Sequence, residues 1–143
     1  MLSPLAYYAI LFAVCAYAFL RGRADERLAA ATCIAATFAT NIVYNPAGSF
    51  SGVEVGVLIV DALALLGFTF IALRTDRFWP LWVAGLQLTT MVAHVLKAIQ
   101  LDLLPHAYAA AARFWVYPIF LIIVVGTWRS QHRARDEARA STA

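Results

Sequence analysis

The stretch VEVGVLIVDALALLGFTFIAL, residues 53–73, decides the fold class. Its only charges are Glu54 and Asp61. A helix rises 1.5 Å per residue, so about 20 apolar residues reach across roughly 30 Å of hydrocarbon. Residues 53–73 meet that length. The rest of the chain has the same character. Of the 143 residues, 63% are hydrophobic and 13% charged. Soluble domains average roughly 45–50% and about 25%, so this composition points to a bilayer.

Working outward, four further apolar segments stand out, at residues 2–20, 28–44, 78–99 and 107–128. Only helices and closed barrels cross lipid with every backbone group paired. A barrel needs many alternating strands, and this chain does not alternate. The sequence predicts an all-α integral membrane protein. A compact bundle of about five transmembrane helices fills residues 1–128, and a basic tail fills 129–143. Residues 105–113 admit two placements: along the outer interface, or inside span five with Arg113 reaching to the headgroups.

Short loops set the orientation. The segments 21–27, 74–77 and 129–143 hold Arg21, Arg23, Arg27, Arg74, Arg77, Arg129, Arg133, Arg135 and Arg139. These are nine of the 11 Lys and Arg residues. Basic short loops stay cytoplasmic, which puts the N-terminus outside and the C-terminus in the cytoplasm. The opening MLSPLAYYAILFAVCAYAFL has no Lys or Arg before its apolar run, the reverse of a removable signal. It reads as a retained span. Trp and Tyr near the span ends suit the headgroup layer. The pattern fits a multi-pass protein of a bacterial inner membrane.

The polar residues inside the spans carry the chemistry. Each helical residue turns about 100 degrees, so Gln87, Thr90, His94 and Lys97 fall within an arc of roughly 80 degrees. Glu54 and Asp61, seven residues apart, share one face of the preceding span. Folding the two spans about the loop 74–77 levels Glu54 with Lys97. It also levels Asp61 with Thr90, about one turn from His94. Unpaired charge in hydrocarbon is costly, so Lys97 is expected to answer Glu54 and His94 to answer Asp61. Thr37, Asn41 and Tyr44 share a face of span two, and Asn41 is a candidate to line the same outer pocket as Glu54. Cys15 and Cys33 lie level about loop 21–27 and read as small core residues. Gly52 and Gly56 have GxxxG spacing, a weak packing signal here.

Function is legible only as a class. The expected role is an accessory or assembly subunit of a larger membrane complex, with the Glu54/Asp61–His94/Lys97 cluster between spans three and four. The alternative is a homo-oligomeric proton or ion channel or transporter using Asp61 and His94. A third reading is an intramembrane enzyme or metal protein using Glu54, His94, Asp102 and His106, residue types that suit transition metals. No tight ligand spacing or catalytic motif supports it, so no enzyme, cofactor or metal is expected. Membrane lipids are expected partners, with Arg129, Arg133, Arg135 and Arg139 at the headgroups. Other subunits or copies of the chain are the protein partners. Topology accounts for the positive charge, which removes the case for nucleic acid.

Overall fold

The structure, a computed structural model, describes residues 3–43, 55–99 and 114–142, with the side chains of Lys97 and Ala98 excepted. Five helices make up its regular structure: α1 (Pro4–Arg21), α2 (Ala24–Val43), α3 (Val55–Arg74), α4 (Trp79–Ile99) and α5 (Val116–Ser141).

Helix ends follow local chemistry. Ser3 caps α1, its Oγ accepting the Ala6 N–H at 3.3 Å. Pro4, Pro80 and Pro118 all fall in first turns, where a missing N–H costs nothing. Only Gly22 and Arg23 separate α1 from α2. The Gly22 N–H returns to the Ala18 carbonyl at 2.7 Å. A Cβ at Gly22 would collide with the Ala18 carbonyl oxygen and lie 2.7 Å from the Glu26 Cβ. The glycine is therefore required by close approach. Glu26, in the first turn of α2, accepts the Arg23 N–H at 2.9 Å, as the acid of a capping box does.

Each helix packs against the next, and α5 closes the ring by returning to α1 while also touching α2. The core is a single cluster drawn from all five helices, including Leu11, Cys15, Cys33, Phe68, Val83 and Ile123. Small residues bring α1 and α2 together: Ala18, Ala29 and Ala30 are each 0% exposed. Cys15 and Cys33 are buried free thiols within this core.

Outside the core many large apolar side chains of the described residues are exposed. Every helix turns large hydrophobic side chains outward, such as Phe12, Phe38, Leu66, Leu96 and Leu121. By length and composition, α1 and α3 are apolar enough to cross a membrane. The first turn of α2 carries Asp25, Glu26 and Arg27, and α5 becomes polar from Arg129 onward.

Two expected boundaries shift. Helix α2 starts at Ala24 and takes in half of the segment read as a loop, because Glu26 caps it. Helix α5 runs unbroken through Arg129 to Ser141, so the basic tail continues the last helix. Ala, Arg, Gln and Glu are good helix formers, and 129–141 holds no Gly or Pro. The choice for residues 105–113 lies outside the described residues, as do Tyr44 and Gly52.

Candidate functional site

The polar centre of the α3–α4 pair is built on Asp61. Its carboxylate lies between two residues of α4 that are two turns apart. His94 Nε2 sits 2.8 Å from Asp61 Oδ2. A carboxylate only accepts, so the hydrogen of this contact belongs to the imidazole. Gln87 Nε2 donates to Asp61 Oδ1 and to the Asp61 backbone carbonyl, each at 3.3 Å. Both carboxylate oxygens are therefore engaged. Gln87 and His94 are buried, whereas the Asp61 side chain keeps 20% of its exposure. Thr90 is also buried, but its hydroxyl donates to the Leu86 carbonyl at 3.4 Å within its own helix. Thr90 contributes no hydrogen bond to Asp61.

The proposed partnership of Glu54 with Lys97 lies outside the described residues, since Glu54 and the Lys97 side chain are not described. The same holds for the metal reading, in which His94 alone is described. Among the described residues, no three His, Cys, Asp or Glu side chains gather in a metal-holding group. Asn41 stands at the α1–α2 seam. Its Oδ1 accepts from the Tyr8 hydroxyl at 3.0 Å, and its Nδ2 donates to the Thr37 carbonyl at 2.9 Å. The Thr37 hydroxyl in turn lies 3.1 Å from that of Tyr7. This face of α2 bonds α1.

A second polar cluster, absent from the sequence reading, closes the other end of the bundle. Glu26 is 0% exposed. Arg77 Nη1 donates to Glu26 Oε1 at 2.6 Å and also to the Ser130 hydroxyl. The Ser130 hydroxyl donates to Glu26 Oε1 at 2.6 Å. One carboxylate thereby ties the start of α2, the α3–α4 connection and the middle of α5. Thr75 Oγ1 adds a bond to Asp25 Oδ2 at 2.8 Å. The four arginines assigned to headgroups, Arg129, Arg133, Arg135 and Arg139, are all exposed on α5.

The two clusters are separate. Along α3, every buried residue beyond Asp61 is apolar: Ala64, Phe68, Ile71 and Ala72. Thirteen residues separate Asp61 from Arg74, about 20 Å of helix. An imidazole beside a carboxylate can exchange a proton, and among the described residues of α3 the buried stretch between the two clusters is apolar. The chain matches no known protein family, no curated protein and no solved structure.

Proposed function

We propose that the protein is a small multi-pass membrane protein serving as an accessory or assembly subunit of a larger membrane complex. Its N-terminus faces outward, its C-terminus lies in the cytoplasm, and a bacterial inner membrane is its site. Large apolar side chains facing outward on all five helices support the bilayer reading, because a soluble bundle of this size would present polar residues there. The arginines at one end, in loops 21–27 and 74–77 and along α5, support the orientation.

The observation that carries the role is the closure of both polar clusters inside a single chain. Asp61 is held by His94 and Gln87, and Glu26 by Arg77 and Ser130. Among the described residues, the large hydrophobic side chains on the outer helix faces suit contact between subunits in lipid. Gentle affinity extraction from the native membrane followed by native mass spectrometry tests this. Reproducible foreign subunits are expected. A chain that leaves the membrane alone, or only with copies of itself, contradicts the role.

One observation favours the second reading, a homo-oligomeric proton or ion pathway. Asp61 keeps partial exposure while its partners are buried, so a neighbouring copy could reach its carboxylate. That reading requires Asp61→Asn to abolish flux in liposomes without unfolding the protein.

A further inference from the structure

We infer that the groove between the start of α4 and the middle of α5 binds one anionic glycerophospholipid, its acyl chain against the tryptophans and its phosphate at Arg129 and Arg133. This rests on the membrane reading above, and goes beyond it by assigning a site and a ligand class. The groove encloses about 620 Å³, within the roughly 300–1,000 Å³ range of small-molecule sites.

Its composition is graded along α5. Leu121 and Val125 face Trp79 and Trp82 at the apolar end, and Arg129 and Arg133 follow at the polar end. From residue 121 to 133 is about 18 Å of helix, matching an amphiphile with chain and headgroup in that order. Arg129 and Arg133 stand one turn apart on the same face. Neither has a carboxylate partner among the described residues. Arg77 also lines the groove, but its charge is met by Glu26. Asp76 contributes one negative charge at the rim. The rim therefore keeps a net positive charge. Gly126 lets the Trp79 indole lie flat on α5, with the ring atoms 3.2–3.4 Å from where a Cβ would stand. The indole N–H of Trp79 is buried without an acceptor. Leaving such a donor unpaired is costly, and Trp79 lines the groove. The groove is at the arginine-rich end, which the orientation above makes cytoplasmic, where anionic lipid is available.

The test is native mass spectrometry of the full chain released from nanodiscs holding equal phosphatidylglycerol and phosphatidylcholine. One phosphatidylglycerol retained per chain is expected, with about twenty-five-fold preference. Arg129→Gln with Arg133→Gln should remove most of that preference, since each arginine near anionic lipid contributes about fivefold. Arg135→Gln with Arg139→Gln removes equal charge beside the groove and should leave it. Val125→Trp, at a half-exposed position, fills the groove and should displace the lipid with charge unchanged. Equal retention of both lipids, or equal effects of the two arginine pairs, overturns the site. Release of the lipid by millimolar inorganic phosphate alone also overturns it, because the chain would then contribute nothing. A chain that fails to insert into the nanodiscs overturns the membrane reading together with the groove, whereas one that inserts without preference overturns the groove alone.

Discussion

At the scale of single residues, two carboxylates carry different energetic weight. Asp61 is bonded between helices, and in the proposed bilayer setting lipid would surround them. Interhelical hydrogen bonds in membranes average only about 0.6 kcal/mol, because the separated helices find other partners. Asp61→Asn keeps an acceptor for His94 and should cost about 1 kcal/mol or less, read as a small drop in melting temperature in detergent. Glu26 is wholly buried against a guanidinium, and removing one partner of a buried pair costs about 3 kcal/mol or more. Glu26→Ala should therefore destabilise far more than Asp61→Asn, and equal losses in the same melting assay would contradict this ranking. Gly22→Ala places a Cβ against the Ala18 carbonyl and Glu26, and should cost about 1–3 kcal/mol as overpacking. Unchanged melting there would mean that the α1–α2 corner is looser than described. The exposed pair Arg23–Glu137, 3.5 Å apart, should contribute almost nothing.

At the scale of elements, legibility depended on how far apart in sequence the contacting residues lie. Asp61 and His94 are joined by one short connection, so counting from its centre was enough to place His94 within about one turn of Asp61. Gln87 was placed on the right face, but its bond to Asp61 needed a side chain long enough to span most of a turn. Glu26, Arg77 and Ser130 were read only as loop and tail residues. Their meeting depends on where α5 returns to the bundle, 104 residues along the chain from Glu26. Hydrophobic periodicity does not encode that placement. Acid in the first turn of a helix was the available local signal for Glu26. The continuation of α5 past Trp128 was not legible, because a change from apolar to charged residues can end an apolar segment without ending a helix. Ala134→Pro should break α5 near the Ser130 carbonyl. Limited trypsin digestion should then cut at Arg135 and Arg139 faster than in the wild type. Unchanged cleavage would argue that residues 129–141 are not held in the helix.

At the scale of the whole molecule, the described residues place two polar clusters inside the bundle and many large apolar side chains on its outer faces. Composition alone made that arrangement legible, since 63% hydrophobic residues exceed what one small core can bury. The role of the polar interior was not legible, because an acid–base pair in a span serves a proton path or a helix seam with the same residues. Orientation has its own test: Ser3→Cys should be labelled by an impermeant maleimide from outside the cell, and Thr142→Cys only after permeabilisation. Labelling of Thr142→Cys in intact cells would reverse the topology. In the assembly-subunit reading the Asp61–His94 pair fastens α3 to α4 and conducts nothing, and the direct measurement is proton flux into liposomes containing wild-type protein or Asp61→Asn. Neither is expected to pass more protons than protein-free vesicles. Wild-type flux that disappears in a correctly folded Asp61→Asn variant would contradict it.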